Sequence, residues 1–193
     1  MENFLSERKC IIDSTEQDAA ESLREKNFVF VDRTIQATIP LKIDFKKFCR
    51  LEIELAEPNE RIHDIAKKSF VNDARFFNTV PPRMDEKLFE EYFAEMKSCY
   101  ICRVKDDIAG FIEVVEKNLE GEIRLAAVDE KFRLSGAALS LYAGAADLLQ
   151  QKNFKKLVGR ISTKNMAVMN LYATLGANFS RPQDVYILSS QKK

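Results

Sequence analysis

A glycine between a buried strand and an apolar helix constrains this chain more than any other sequence feature. The stretch EIRLAAV, residues 122 to 128, has the composition of a central strand, and an alanine-rich helix begins soon after Arg133 in RLSGAALSLYAGAADLL. The first turn of a helix leaves several backbone amides without partners and carries a partial positive charge. Gly136, followed by two alanines, allows another group to approach that turn closely. The turn is therefore either a pyrophosphate cradle, with Arg133 adding charge, or a device for packing the helix tightly on the sheet.

Composition indicates a globular protein without a strong electrostatic partner. The 193 residues fit one domain, or one domain with a small appendage, and 46% of them are hydrophobic. Basic and acidic residues both number 30, so no net charge attracts nucleic acid or an anionic membrane. We find no apolar stretch typical of a signal peptide or a membrane span, and we therefore expect a cytoplasmic protein.

The cysteines do not indicate redox or metal chemistry. Cys99 and Cys102 form a C-x-x-C pair in SCYICRV, which reads as a strand. An offset of three in a strand points two side chains to opposite faces, whereas a redox or zinc pair needs them together. The sequence therefore predicts two buried thiols and no metal site.

The order of predicted elements indicates an α/β sheet with helices on both faces. A short strand KCIID, a helix in STEQDAAESLREKN and a strand FVFVDRTIQATIPL come first, and Ser14 with Gln17 forms a capping-box pattern at the helix start. This unit is too small to bury a core of its own, so we expect it to dock on the rest. Antiparallel hairpins follow, and the chain ends as strand, helix, strand, helix, strand.

Two motifs at a characteristic separation resemble a known family. RLSGAA matches a pattern of Arg or Gln, two residues, Gly, one residue, then Gly or Ala, which begins a helix after a central strand. Downstream, NMAVMNLYATLGANF contains Asn165, Leu171, Tyr172 and Gly176 at the matching positions, although Ala177 stands where phenylalanine is common. In these paired motifs, and over about residues 46 to 190, the chain resembles the GNAT superfamily of acetyl-CoA-dependent N-acyltransferases.

The resemblance implies a fold and a division of the chain. It implies a mixed, mostly antiparallel central sheet flanked by helices, in which two adjacent parallel strands splay apart. Residues 46–193 would form the acetyltransferase domain, and residues 1–45 a small N-terminal β-α-β extension packed on it.

The resemblance also implies roles for individual residues. The diphosphate of coenzyme A would bind to the five backbone amides of residues 134 to 138, with Arg133 adding charge and Ser135 a hydroxyl. Ala126 and Val128 would offer backbone contacts to the pantetheine. Tyr172 matches the family's general acid, which protonates the leaving thiolate. Glu122 matches the position of a catalytic glutamate in histone-type members, but it lies in the charged hairpin NLEGEI, where it is equally an ordinary surface residue. Many members of the family use a water chain as the base instead. The remaining predicted cofactor contacts are Leu134, Ser135, Gly136, Ala137, Ala138 and Asn165.

The acceptor site is predicted in the loop VNDARFFNTVPPRM and the helix after it. Arg75, Phe76 and Phe77 offer a charge and a stacking surface there, or the two phenylalanines simply close the core. The ARFF stretch loosely resembles the dTDP-fucosamine acetyltransferase subgroup, from which Pro81 and Pro82 depart.

The function implied by the resemblance is acetyl transfer from acetyl-CoA to a primary amine of a small molecule, such as an amino sugar, a sugar nucleotide or a polyamine. Two alternatives stay open: an acyl-CoA-binding module without turnover, and an enzyme that acetylates protein lysines or N-termini. No nucleic-acid, membrane or metal partner is expected. The sequence does not fix whether the chain forms a homodimer.

Overall fold

The described part of the chain contains eight strands, which form one mixed sheet. The computed structural model describes residues 9–71 and 86–188. The strands follow the order β1-β8-β2-β7-β6-β5-β4-β3, and every pairing is antiparallel except that of β6 with β7. The mostly antiparallel α/β sheet predicted from the sequence is therefore confirmed. The strands are β1 Lys9–Asp13, β2 Phe28–Pro40, β3 Ile53–Ala56, β4 Cys99–Val104, β5 Asp107–Lys117, β6 Glu120–Val128, β7 Lys156–Ser162 and β8 Asn178–Leu188.

The helices cover both faces of the sheet. One large hydrophobic core lies between the sheet and α4 and α5, and another between the sheet and α2 and α3. A small third cluster joins Val31 of β2 to Val185 and Ile187 of β8. The α4 helix is apolar around most of its circumference because it is packed on nearly all sides, which is typical of a central helix. The helices are α1 Gln17–Glu25, α2 Glu60–Phe70, α3 Glu86–Ala94, α4 Ala137–Gln151 and α5 Met166–Thr174, with short 3-10 turns at Lys46–Phe48 and Glu130–Phe132.

The N-terminal strands are integrated into the sheet. β2 lies between β7 and β8 and pairs antiparallel with both, so β7 and β8 run parallel to each other with β2 between them. β1 pairs with the other edge of β8. Removing β2 would therefore open the sheet next to β7. The division of the chain at residue 45 stays a prediction.

The start of α1 differs from the sequence prediction. The helix begins at Gln17 after Glu16, which makes no side-chain capping bond, so the predicted Ser14 capping box is wrong. Asp13 takes over the turn instead: its Oδ1 accepts from the amide and the hydroxyl of Thr15 at 3.0 and 2.7 Å. A side-chain turn of this kind holds the backbone around Ser14 in a conformation that competes with capping of the helix by Ser14.

The two neighbouring cysteines lie on opposite faces of β4, as predicted. Cys99 packs in the core below α2 and α3, and Cys102 in the core below α4. Burial raises the pKa of Cys99 to about 12 and that of Cys102 to about 11. Both thiols are therefore protonated and unreactive at neutral pH.

Residues 9–71 and 86–188 contain neither a membrane-spanning helix nor a cluster of metal-ligating side chains. No helix in this part of the chain is long and apolar enough to cross a membrane. Within the same residues, no three or more His, Cys, Asp or Glu side chains cluster in a way that could hold a metal ion.

Candidate active site

The parallel strands β6 and β7 separate part-way along their length. Their pairing runs from Glu120 opposite Lys156 to Ile123 opposite Gly159 and ends there. β6 continues to Val128 along β5, and β7 continues to Ser162 along β2, without pairing with each other. Backbone groups of both strands therefore border a wedge-shaped opening, and we call the Ile123–Gly159 level its apex.

Tyr172 reaches the apex from the α4 and α5 side. Its side chain is 1% exposed. A Cβ atom built on Gly159 would lie 1.9 Å from the Tyr172 hydroxyl, so only glycine leaves room for it at that position of β7. The phenol of Tyr172, a residue of the sequence motif, therefore lies against Gly159, the last residue of β7 that pairs with β6.

Tyr142 of α4 is the immediate neighbour of Tyr172. The ring centroids are 5.2 Å apart in an edge-to-face arrangement. Burial raises the pKa of both phenols above the usual value, and for Tyr172 the nearby Tyr142 adds to the rise. Both hydroxyls are therefore neutral across the physiological range. Sequence reasoning missed Tyr142, because the pairing joins two helices 30 residues apart.

Glu122 lies at the same level on the opposite face of the sheet. It is exposed and stands opposite Val158 in β7, one residue before the apex. Its charge acts on Tyr92 of α3 and on Arg160 of β7, which places these side chains in its vicinity. The predicted acid and the predicted base thus flank the apex from opposite faces.

A buried ion pair stands beside Glu122 at a bulge in β6. Arg124 is the extra residue between the Glu113–Leu125 and Val114–Ile123 pairs of β5 and β6, and its Nε donates to the Glu113 carboxylate at 2.8 Å. Arg124 also contacts Glu95 at 2.5 Å and the Tyr92 carbonyl at 3.1 Å, so it ties α3 to the sheet. Burial raises the pKa of Glu113, and Arg124 opposes that rise. The Arg124–Glu113 pair therefore holds α3 against the face of the sheet on which Glu122 lies.

The turn before α4 has the geometry of an anion cradle. Gly136 is the N-cap residue and has φ +84°, a left-handed conformation that favours glycine. Within the turn, the Ser135 amide donates to the Phe132 carbonyl and the Ala137 amide to the Ser135 hydroxyl. The amides of Leu134, Gly136 and Ala138 have no acceptor among residues 9–71 and 86–188. Three of the five predicted amides are therefore available to a ligand.

Arg50 adds a second cation beside this turn, and no sequence motif indicated it. Its Cδ atom would lie 3.4 Å from a Cβ atom on Gly136. The fully buried Ser140 of α4 fixes the backbone there, since its Oγ accepts from the amides of Arg50 and Leu51 at 3.0 and 3.1 Å. In the described part of the chain, no carboxylate forms an ion pair with Arg50. Arg133, the predicted cation, lies 3.7 Å from Glu130.

The remaining predicted cofactor contacts lie along the opening. Ala126 and Val128 follow the apex on β6, half-buried on the α4 side. Asn165 begins α5 just after β7, and its Oδ1 accepts from the Val168 amide at 3.2 Å. Asn165 therefore has a helix-capping role whether or not it touches a ligand.

The predicted acceptor residues Arg75, Phe76 and Phe77 lie outside the described residues. The described helix after them, α3, carries Tyr92 to the face on which Glu122 lies, and Glu95 follows directly after the helix. The acceptor-site assignment therefore stays a prediction.

Comparison of the sequence with family models decides the classification. The model described as acetyltransferase (GNAT) family matches residues 59–177, which include β6, the Gly136 turn, β7 and Tyr172. The chain belongs to the GNAT acetyltransferase family. It is therefore an acyltransferase, and GNAT acetyltransferases use acetyl-CoA. Comparison with curated proteins gives no significant match.

Solved structures resemble this GNAT acetyltransferase in fold at low sequence identity. A functionally unknown conserved protein from Staphylococcus epidermidis has TM-score 0.66 and 14% identity, over 95% of this chain and 73% of that one. A GCN5-related N-acetyltransferase from Sphaerobacter thermophilus has TM-score 0.61 and 14% identity, over 96% of this chain and 61% of that one. A Bacillus subtilis acetyltransferase in complex with CoA has TM-score 0.52 and 17% identity, over 74% of this chain and 100% of that one.

Proposed function

We propose that this acetyltransferase moves the acetyl group of acetyl-CoA to a primary amine of a small molecule. The observation that carries the proposal is the apex between β6 and β7, where the phenol of Tyr172 lies against Gly159 and Glu122 stands one residue before the apex on the opposite face of the sheet. An acid for the leaving sulfur and a base for the incoming amine are the two proton-transfer groups that acyl transfer to nitrogen needs.

The residues of the Gly136 turn fit the diphosphate of this cosubstrate. The unoccupied amides of Leu134, Gly136 and Ala138 can donate to its oxygens, and Arg133 and the helix N-terminus supply positive charge. The unpaired backbone of β6 near Ala126 and Val128 offers hydrogen bonds to an amide-containing arm in the opening. Asn165 lies at the β7 side of the same opening. Bound acetyl-CoA supplies the acetyl group as a thioester.

Tyr172 holds a proton at the apex. Its phenol is neutral at working pH, and its position against Gly159 directs the hydroxyl to the paired end of the opening. When the amine nitrogen attacks the acetyl carbon and the carbon–sulfur bond breaks, the sulfur leaves with the electron pair. Tyr172 gives its proton to that sulfur, and the proton lost by the amine restores the phenol through solvent.

Glu122 is proposed as the base that takes the amine proton. Replacing it by glutamine keeps the volume and removes the charge, so we expect kcat/KM for the amine to fall about a hundredfold at neutral pH. Acetyl-CoA binding by titration calorimetry should not change. Glu120 of the same strand, which pairs with Lys156, is the matched control. An E122Q enzyme with unaltered kcat/KM would assign the proton to a water chain instead.

Arg50 is proposed as a further contact to the diphosphate. Arg50→Ala should raise the Kd of acetyl-CoA about tenfold, because a charge-assisted hydrogen bond to the phosphate oxygens is lost. The same loss is expected with dephospho-CoA, since the contact is to the diphosphate. Arg24 on the exposed side of α1 is the matched control. An unchanged Kd for R50A would remove Arg50 from the site.

The acceptor is proposed to be an amino sugar, a sugar nucleotide or a polyamine that contacts Arg75 and Phe76. The loose likeness to the dTDP-fucosamine subgroup and the aromatic residues of that loop support this choice. One structure with the same fold at TM-score 0.50 is a ribosomal-protein-S18-alanine N-acetyltransferase from Escherichia coli, 17% identical, so a protein N-terminus remains the second candidate. The equal numbers of basic and acidic residues favour neither a nucleic-acid partner nor a membrane partner. We also propose a cytoplasmic location for this enzyme.

The test of the proposed function is thiol release from acetyl-CoA with a panel of amines. The panel contains glucosamine, a dTDP-amino sugar, spermidine and peptides with a free lysine or an N-terminal alanine. We expect turnover with a small amine and a matching acetylated product by mass spectrometry. Turnover with a peptide alone would favour the protein-directed alternative. Binding of acetyl-CoA without turnover of any amine would favour an acyl-CoA-binding module.

A further inference from the structure

Arg160 is the first residue of β7 beyond the apex, and it lies on the face of the sheet that carries Glu122. Its neighbours Gly159 and Ile161 face the core below α4 and α5, so the alternation of a strand places Arg160 on the other face. Val158, two residues earlier on that face, pairs with Glu122. The Cα atoms of Val158 and Arg160 are therefore roughly 7 Å apart along β7. A cation and the proposed base are thus within reach of one small molecule.

The guanidinium of Arg160 is held in place by neutral acceptors. Its Nη1 donates to the Arg181 carbonyl of β8 at 3.0 Å and to the hydroxyl of the buried Thr34 of β2 at 3.4 Å. Arg181 has φ +51° and lies where the β2–β8 register shifts, so an irregular backbone supplies this carbonyl. Within the described residues, Nε and Nη2 of Arg160 have no acceptor. The side chain is therefore oriented while most of its donors stay available.

The positive charge at this position is not compensated. Neither Arg160 nor Arg181 forms an ion pair in the part of the chain that the structure describes, whereas five other arginines do: Arg33, Arg61, Arg103, Arg124 and Arg133. Partial burial lowers the pKa of Arg160, the charge of Arg181 lowers it further, and Glu122 opposes both. An arginine stays protonated even so. An anion bound here would relieve the repulsion between the two cations.

We propose that Arg160, with Arg181 beside it, binds an anionic group of the acceptor, so that the acceptor is an amine that also carries a carboxylate or a phosphate. This inference rests on the proposed function and narrows its acceptor class. With the anion on the guanidinium fork, the amine nitrogen is directed along the same face to Glu122 and the apex. No bond forms or breaks at Arg160, which only holds the acceptor. A polycation such as spermidine is disfavoured by the same charge.

The test compares pairs of amines that differ in an anionic group. The pairs are 5-aminopentanoate with pentylamine for a carboxylate, and glucosamine 6-phosphate with glucosamine for a phosphate. In thiol release from acetyl-CoA, we expect kcat/KM for at least one anionic amine to exceed that of its neutral partner by about tenfold or more. Arg160→Gln should lower kcat/KM for that anionic amine about thirtyfold, mainly through KM, and change the neutral amine by less than about threefold.

Three further variants separate the guanidinium contact from general charge. Arg160→Lys keeps the charge but not the planar fork, so we expect an intermediate loss of about threefold to tenfold for the anionic amine. Arg181→Gln removes only the neighbouring charge, and about a threefold loss is expected. Arg24→Gln on the exposed side of α1 is the matched control and should leave both members of each pair unchanged.

A binding measurement keeps this inference distinct from the proposed function. The same four amines are titrated into protein saturated with coenzyme A, which has no acetyl group to transfer. Arg160-dependent binding of an anionic amine without turnover of any amine would contradict acetyl transfer and support the anion site. Turnover with equal kcat/KM within both pairs, or a preference that persists in R160Q, would overturn the anion site and leave acetyl transfer standing. Neither binding nor turnover of any amine would overturn both.

The two pairs also distinguish the two anions. A larger Arg160-dependent ratio within the 5-aminopentanoate pair would assign the site to a carboxylate. A larger ratio within the glucosamine pair would assign it to a phosphate.

Discussion

Replacing Tyr172 by phenylalanine is expected to lower kcat by a factor of about 10² to 10³, the range usual for loss of a general acid. The KM for acetyl-CoA should stay within about twofold, because the diphosphate contacts are made by residues of the Gly136 turn and not by the phenol. Burial keeps the pKa of Tyr172 above its ordinary value. The phenol is therefore protonated at every pH up to about 10, and the kcat–pH profile below that should keep its shape in the variant.

The controls for Y172F separate chemistry from folding. The variant removes a buried hydroxyl that lies against Gly159 and leaves a small void there, which should destabilise the fold by about 1 kcal/mol. Thermal unfolding measures that loss, and titration with acetyl-CoA confirms that the folded fraction binds. Parallel losses of kcat and of acetyl-CoA affinity would contradict the acid role.

Replacing Gly136 by glutamate is expected to abolish acetyl-CoA binding. The residue has φ +84°, so any side chain other than glycine or asparagine is strained there, by about 1 to 2 kcal/mol. The new carboxylate would also stand among the amides of Leu134, Gly136 and Ala138 and repel a diphosphate. Titration calorimetry should show no heat at millimolar acetyl-CoA, while circular dichroism shows a folded protein.

Two matched variants test whether the negative charge at the turn causes the loss of acetyl-CoA binding. Gly136→Asn tolerates the left-handed conformation without adding charge, and we expect weakened but measurable binding. Gly176→Glu places the same carboxylate at another glycine with positive φ, where a Cβ atom meets nothing within 4 Å, and binding should be unchanged. Wild-type affinity in G136E would show that the turn only packs the helix.

Local sequence signals predicted the parts of the site that depend on contiguous residues. The Gly136 turn, the helix that follows it and the Asn165–Tyr172 helix could be found because glycine, capping residues and periodicity act within a few positions. The predicted faces of Cys99 and Cys102 also followed from the two-residue period of a strand.

Long-range features could not be predicted in this way. The position of β2 between β7 and β8 depends on which strand edges pair, and no local propensity encodes that choice. The approach of Arg50 to Gly136 joins residues 86 positions apart and depends on the buried Ser140. The bulge at Arg124 adds one residue to β6, which shifts its register with β5. The pairing partner and the face of Leu125 therefore do not follow from counting residues along the hairpin.

The most direct measurement of the central claim is titration of the purified protein with acetyl-CoA by isothermal calorimetry, beside dephospho-CoA. We expect one site of micromolar affinity for acetyl-CoA, and we expect dephospho-CoA to bind as well because the turn holds the diphosphate. No heat at millimolar acetyl-CoA would contradict the account: the Gly136 turn would then be a packing feature, and neither Tyr172 nor Glu122 would have a thioester to act on.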